Sequence, residues 1–114
     1  NKIYYLASCD TCRKIIKSLP ENNLVFQDIR QEPITEEQLE EMYKLSGSYE
    51  ALFSKKAQLY KSMGLKEKSL TEADFKKYIL EHYTFLSRPV FIIDGKIYIG
   101  NSQKNVAEVI NALT

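Results

Sequence analysis

The first thirty residues consist of two β-forming runs separated by a stretch with helical periodicity. Lys2–Leu6 and Leu24–Asp28 are rich in β-branched, aromatic and aliphatic residues, which favours strands. Between them, four apolar residues recur three and four positions apart: Cys12, Ile15, Ile16 and Leu19. This spacing predicts a helix from Thr11 to Leu19, which Pro20 ends. A strand, a helix and a strand in so short a stretch predict a βαβ unit with parallel strands.

The middle of the chain has helical patterning. Thr35 and Gln38 have the spacing of a capping box, and Ser46-Gly47 is expected to end the helix that follows. The apolar residues of that helix are Leu39, Met42, Tyr43 and Leu45. Residues 49–65 predict short helical pieces, and Thr71 begins a further helix whose inner face is predicted to hold Phe75, Tyr78, Ile79 and His82.

The last part of the chain predicts a hairpin and a final helix. Asp94-Gly95 separates the β-forming runs Val90–Ile93 and Lys96–Ile99, which is a strong hairpin signal. The final helix has its apolar face at Val106, Val109, Ile110 and Leu113. The element order predicts an α/β fold, a thioredoxin-like four-stranded mixed sheet flanked by helices. We expect one domain over residues 1–114, with an all-helical insert at about 35–85 between the βαβ and ββα halves.

Composition and charge narrow the class of protein. The chain has 114 residues, 44% of them hydrophobic and 27% charged, and a net charge of +1. So small a net charge predicts no strong attraction to nucleic acid or to an anionic membrane. No apolar run is long enough to cross a bilayer, and no signal peptide is visible, so we expect a location in the cytoplasm. We also expect a monomer.

The two cysteines of the chain are Cys9 and Cys12, three positions apart where the first strand gives way to the first helix. At a helix start, unpaired backbone N–H groups and the positive end of the helix dipole favour a thiolate. We therefore expect Cys9 to attack and Cys12, one turn further in, to resolve the mixed disulfide. Two other interpretations stay open. In one, both cysteines are apolar core residues. In the other, they are half of a metal site shared across a dimer, since one Cys-x-x-Cys and one histidine, His82, are too few ligands for a self-contained zinc site.

Arg88 and Pro89 precede the predicted third strand. One interpretation is an ordinary proline at the start of a strand. In the other, which thioredoxin-like folds favour, the proline faces the cysteine turn and Arg88 points at Cys9, where its guanidinium stabilises the thiolate and binds an anionic substrate group. Arg13 adds positive charge near the same turn.

Several segments in their order resemble the ArsC-type arsenate reductase family. The cysteine segment from Cys9 to Lys14 is similar to the family's active-site segment, and Leu86–Val90 to its Arg-Pro segment. Further similar segments are Leu52–Ser54, Tyr60–Leu65, Asp94–Lys96 and Gly100. The resemblance covers nearly the whole chain and implies a thioredoxin-like domain with a helical insert.

The resemblance also implies site residues. Arsenate reductases of this family use one cysteine and three arginines, which fall on Cys9, Arg88, Ser54 and Gly100, so two arginines are replaced here. Lys55 or Lys56 can supply charge near Ser54 but not the bidentate geometry of arginine. We expect Cys9, Cys12 and Arg88 to be catalytic, Arg13, Lys55 and Pro89 to bind substrate, and no metal to be held.

Three functions follow from these expectations. The first is a thiol-disulfide oxidoreductase with no bound cofactor, whose partner is glutathione, glutaredoxin or a protein disulfide, and whose electron donor is glutathione or a protein dithiol. The second is a redox-switched transcriptional regulator resembling Spx, which binds the RNA polymerase α subunit. A glycine matters for that contact, and Gly47 lies at a similar place, although a helix C-cap explains Gly47 equally simply. The third is a glutathione- or glutaredoxin-linked arsenate reductase.

Overall fold

The computed structural model describes residues 1–114 as two compact units. One unit combines residues 1–33 with 88–114, and the other spans residues 34–87. The strands are β1 Lys2–Tyr5, β2 Val25–Asp28, β3 Val90–Ile93 and β4 Lys96–Ile99. The helices are α1 Asp10–Ser18, α2 Glu36–Ser46, α3 Tyr49–Leu52, α4 Gln58–Ser62, α5 Glu72–Glu81 and α6 Gln103–Leu113, with short 3-10 turns at Leu65–Glu67 and Tyr83–Phe85.

The first unit is built on a mixed four-stranded sheet in the order β2-β1-β3-β4. β1 and β2 are parallel, with Ile3 opposite Phe26, as the βαβ interpretation predicts. β3 is antiparallel to β1, with Tyr4 opposite Val90, and antiparallel to β4. The predicted fold class is therefore confirmed: the sheet has the thioredoxin-like strand order and direction, and the insert between its halves is helical.

One apolar core holds α1 and α6 against the same face of this sheet. Its buried members come from both helices, from β1 and β3, and from the segment before β2: Ile3, Ile15, Leu24, Phe91, Ile93 and Val109. Burying side chains of this size stabilises the fold by roughly 1.5–3 kcal/mol each. The core thereby fixes the start of α1, which follows β1 after only four residues.

The hairpin between β3 and β4 has the predicted turn. Asp94 has φ 49° and Gly95 φ 78°, so both turn residues are left-handed. Two left-handed residues define a type I′ turn, whose twist matches that of the strands it joins.

The unit of residues 34–87 is helical and has its own aromatic core. Thr35 and Gln38 form the predicted capping box, and Thr71 and Asp74 form a second one. Phe53 is central to the core, since its ring lies 4.9–5.7 Å from three other aromatic rings: those of Tyr60, Phe75 and Phe85. No helix in the structure combines the length and the apolar character that crossing a membrane requires.

Some predicted positions were wrong. Tyr43 and Leu45 of α2 are more than a third exposed, because Leu39 and Met42 define the buried face and the other two lie to either side of it. His82 lies outside α5: its backbone is extended, and its Nδ1 accepts the Thr84 N–H at 3.2 Å. Both errors arise because helical spacing alone does not show how wide the buried face is or where the helix ends.

The burial pattern of strand β2 is the reverse of what the polarity of its residues suggests. Val25 is 61% exposed and Phe26 45%, whereas the polar Gln27 is buried. Gln27 satisfies its side-chain amide by donating from Nε2 to the Glu32 carbonyl at 3.0 Å. β2 is an edge strand, so its outer side and part of each face remain in solvent.

Candidate active site

Cys9 is the N-cap residue of α1. Its backbone is extended (φ −91°, ψ 118°), and its carbonyl accepts the Arg13 N–H at 3.1 Å, the first hydrogen bond of the helix. A turn leads into it from β1, because the Cys9 N–H donates to the Leu6 carbonyl at 3.0 Å. The side chain is partly exposed. The thiol therefore lies at the positive end of the helix and is accessible from solvent, as the sequence predicted.

Opposing effects act on the Cys9 thiol. The largest is burial, which raises its pKa. Hydrogen bonds from the backbone of Cys12 and Thr11 and from the Cys12 side chain lower the pKa, and so does the positive charge of Arg88. The lowering effects prevail, so the pKa of Cys9 lies below the ordinary value of 9.0.

Cys12 has the opposite character. It is fully buried, and burial raises the pKa of its thiol to about 11 despite a backbone hydrogen bond from Leu6 and the charge of Arg88. The charge on Cys9 and the hydrogen bond between the two side chains raise this pKa further. Cys12 is thus a neutral thiol that donates to the Cys9 sulfur, and both cysteines are unbridged in the structure.

Arg88 and Pro89 reach this site through the strand register. Because Tyr4 lies opposite Val90 in an antiparallel pair, the residues before Val90 lie beside the end of β1 that leads to Cys9. The Arg88-Pro89 peptide bond is cis, and the Pro89 carbonyl accepts the Gly100 N–H at 2.9 Å. The positive charge of Arg88 lowers the pKa of both thiols. The structure thus brings Arg88, Cys9 and Cys12 together.

The two other cations predicted to bind substrate have different surroundings. The Arg13 guanidinium pairs with the Asp10 carboxylate and donates to the Ala7 carbonyl at 3.0 Å. It is thereby directed at the turn before Cys9, and the cation that acts on the thiol is Arg88. Lys55 belongs to the unit of residues 34–87, where its Nζ lies 2.9 Å from Glu50 Oε2. Substrate binding by Arg13, Lys55 and Pro89 stays a prediction.

Two contributors to the site were not anticipated. Leu6 and Thr11 act on the thiols through their main-chain groups. No side-chain pattern signals such a role, since any residue other than proline would present the same backbone N–H at those positions. The extended-to-helical turn, which the sequence did predict, is the one signal that points to them.

No further metal-ligating side chains are grouped with the two thiols. The structure holds no group of three or more His, Cys, Asp or Glu side chains arranged to bind a metal ion. The site is defined by one accessible acidic thiol, one buried neutral thiol and one arginine.

A thioredoxin-like sheet with a Cys-x-x-Cys turn at the start of its first helix defines a class of thiol-bearing proteins. Within that class, the model of the ArsC family matches residues 4–109. The chain belongs to the ArsC family.

Relatives in this family differ in what their names state. The chain is 26% identical over 113 residues to the uncharacterised protein YfgD of Escherichia coli K12, covering 96% of this chain and 95% of that protein. It is 24% identical over 107 residues to the global transcriptional regulator Spx 1 of Bacillus cereus, covering 91% of this chain and 82% of Spx 1. Among solved structures, an arsenate reductase from Vibrio cholerae superposes with a TM-score of 0.78 at 22% identity, over 94% of each chain.

Proposed function

We propose that this protein is a thiol-disulfide oxidoreductase in which the Cys9 thiolate is the nucleophile and Cys12 the resolving thiol. The observation that carries the proposal is that the pKa values of two thiols in one helical turn are shifted in opposite directions. The pKa of the accessible Cys9 is lowered, and that of the buried Cys12 is raised to about 11. An attacking group must be a thiolate at working pH, whereas a resolving group should stay protonated until it is needed.

The proposed reaction has two exchanges. Cys9 attacks one sulfur of the substrate disulfide, forms a mixed disulfide and releases the other sulfur as a thiolate. Cys12 then gives up its proton, which passes to the released thiolate, and attacks the Cys9 sulfur. The second substrate sulfur leaves, so the substrate has gained two electrons and the protein holds a Cys9–Cys12 disulfide.

The cycle closes when two thiols reduce this disulfide. Two glutathione molecules or one protein dithiol such as glutaredoxin would supply the electrons, a requirement that suits a reducing compartment such as the cytoplasm. Arg88 supports the first exchange, because its charge favours the thiolate of Cys9. We infer that it also attracts an anionic group, such as a carboxylate, of the disulfide substrate.

A glutathione redox titration read by intact mass tests the proposal. The expected result is an oxidised form 2 mass units lighter in the wild type, and a stable glutathione adduct on Cys9 in Cys12→Ser, because the resolving thiol is missing. Cys9→Ser is the matched control and should gain neither product at neutral pH. Adducts on Cys12 in that control, or no oxidised form in the wild type at any ratio, would refute the assignment.

A redox-switched transcriptional regulator is the second candidate, favoured by the similarity to Spx 1 across 91% of the chain. Gly47, the residue at the position that matters for polymerase contact in Spx-type proteins, is exposed and forms the left-handed C-cap of α2 with φ 80°. A pull-down against the C-terminal domain of the RNA polymerase α subunit, run with oxidised and with reduced protein, tests this. Binding in neither state would exclude it.

Arsenate reduction is the weakest of the three candidates. The position of one family arginine is Gly100, whose φ of 95° lies in the region that favours glycine. The other is Ser54, whose N–H donates to the Phe85 carbonyl. We expect no arsenate-dependent turnover; turnover that survives Cys12→Ser and is lost in Cys9→Ser would establish the single-cysteine reaction instead.

A further inference from the structure

The net charge of +1 conceals a strong local segregation. Residues 55–68, here called the lysine segment, contain five lysines and one acid, Glu67. Residues 36–41, in the same unit, contain four glutamates and no base. The weak attraction to polyanions expected from the total charge therefore does not describe the lysine segment, because a polyanion responds to local charge within about 10 Å.

The lysine segment is a compact series of turns. Helix α4 passes through Gly64, which is left-handed, into the 3-10 turn Leu65–Glu67, and the Met63 N–H donates to the Leu59 carbonyl at 2.9 Å. The segment is anchored to the core of its unit, since Leu65 is fully buried and the Tyr60 and Phe53 rings pack in a T-shaped arrangement with their centroids 5.7 Å apart. All five lysines are exposed: Lys55, Lys56, Lys61, Lys66 and Lys68.

Four of these five ammonium groups are uncompensated. Lys55 is paired with Glu50 at 2.9 Å, whereas no carboxylate lies within 4.0 Å of the other four: Lys56, Lys61, Lys66 and Lys68. On the acidic side of the same unit, Lys76 lies 3.4 Å from Glu40 and 4.0 Å from Glu36. The acidic helix is thus partly neutralised by its own unit, whereas in the lysine segment only Lys55 is paired.

We propose that the lysine segment binds the phosphate backbone of nucleic acid without reading its sequence. Lysine presents a compact, mobile point charge that suits phosphate contacts, and residues 34–87 contain no arginine to read bases through paired hydrogen bonds. The composition argues against an acidic protein surface as the ligand, because the cores of protein interfaces are depleted in lysine and enriched in arginine and aromatic residues. This activity is independent of the cysteine site and of the function proposed for it.

The expected binding is weak and strongly dependent on salt. Non-specific sites of this kind have dissociation constants of about 10⁻⁴–10⁻⁶ M at physiological salt. Four phosphate contacts predict a slope of about −3.6 in log affinity against log salt concentration on duplex DNA. Affinity should therefore fall about 100-fold between 50 and 200 mM salt.

Fluorescence anisotropy with a labelled 20-base-pair duplex and a 20-nucleotide RNA, using reduced protein, tests the proposal. In the full chain, K56Q/K61Q/K66Q/K68Q should weaken binding at least 10-fold at 50 mM salt and flatten the salt slope. The matched control K17Q/K44Q/K77Q/K104Q removes the same four charges from exposed positions elsewhere and should bind as the wild type does. Circular dichroism verifies that both variants are folded.

Three outcomes would overturn the proposal. The first is no anisotropy change with either nucleic acid at 50 mM salt. The second is an equal loss in both variants, which would show that only total charge matters. The third is a poly-glutamate peptide of matched length and charge that binds as tightly as the duplex, which would assign the surface to acidic proteins.

Discussion

The thiols of Cys9 and Cys12 share one turn of α1 and a hydrogen bond, yet their pKa values move in opposite directions. Cys9 is at the helix start, where backbone N–H groups of Thr11 and Cys12 point at its sulfur. Cys12 lies within the first turn of α1 and is fully buried. Each thiol influences the other, because the proton held by Cys12 stabilises the charge on Cys9, and that charge raises the pKa of Cys12.

Cys12→Ala should raise the pKa of Cys9, because it removes the side-chain donor to the thiolate. A hydrogen bond to a charged group contributes about 1.5–3 kcal/mol, so the thiolate fraction at neutral pH should fall about tenfold or more. The measurement is the rate of iodoacetamide alkylation against pH. Cys12→Ser keeps a donor and should restore most of the reactivity; equal pKa values in the two variants would disprove the coupling.

Arg88→Gln should also raise the pKa of Cys9, but by less, because the charge of Arg88 is the weakest of the named influences on that thiol. In a Cys12→Ser background the alkylation profile reports Cys9 alone. Arg88→Lys keeps the positive charge, so the pKa of Cys9 in this variant should lie between the value with Arg88 and the value in Arg88→Gln. If Arg88→Gln leaves the profile unchanged at low ionic strength, the arginine does not act on the thiolate.

The buried thiol predicts a loss of stability at alkaline pH. The pKa of Cys12 is raised in the folded state, so its contribution is fully present below the ordinary value of 9.0 and is lost as the pH rises towards about 11. Up to about 3 kcal/mol of the free energy of unfolding depends on this proton. Cys9 acts in the opposite sense, since its lowered pKa stabilises the fold above 9.0 and the contribution is lost as the pH falls through that lowered pKa.

Urea unfolding under a phosphine reductant at several pH values from 8 to 11 measures this effect. Between pH 9 and 11 Cys9→Ser should lose more stability than Cys9→Ser/Cys12→Ala, because burial still acts on the Cys12 thiol and all other titrating groups are common to both proteins. Parallel curves would show that the Cys12 thiol ionises no differently in the folded and unfolded chains.

Gly95→Ala should destabilise the fold by about 1–2 kcal/mol, which is the cost of placing a residue with a Cβ in the left-handed backbone conformation. A Cβ at this position meets no atom within 4 Å, so the expected effect comes from the backbone alone. Asp94→Asn is the control, because asparagine tolerates φ 49° well and should change the free energy of unfolding little. Thermal unfolding measures both; a stable Gly95→Ala variant would mean that the turn has another conformation.

Glu72 has a role that links two helices. Its Oε1 accepts the Tyr49 N–H at 2.9 Å and its Oε2 accepts the Glu50 N–H at 3.0 Å, so it caps α3 from the first turn of α5. Glu72→Ala should cost about 1 kcal/mol of unfolding free energy, in the range of other N-cap losses. Glu72→Gln retains one acceptor and should cost less. Equal denaturation midpoints for all three proteins would show that the cap contributes nothing.

Local patterns predicted most of the elements because local chemistry forms them. Thr35 caps α2 through its own neighbour Gln38, and the Asp94-Gly95 turn needs only two residues that tolerate positive φ. Sequence patterns gave wrong predictions where the burial of a side chain depends on segments that are distant in the sequence. The exposure of Val25 follows from β2 being an edge strand, which no residue of β2 specifies.

By itself the sequence determined the strand and helix order, the parallel first pair of strands and the placement of Cys9 at a helix start, since each follows from the spacing of nearby residues. The tertiary structure decided which groups act on the thiols. Arg88 is 79 positions after Cys9 in the sequence and lies near it because β3 pairs antiparallel with β1. The pKa of Cys12 rises because the assembled fold excludes water from its thiol, and burial of that kind exists only once the distant segments have packed.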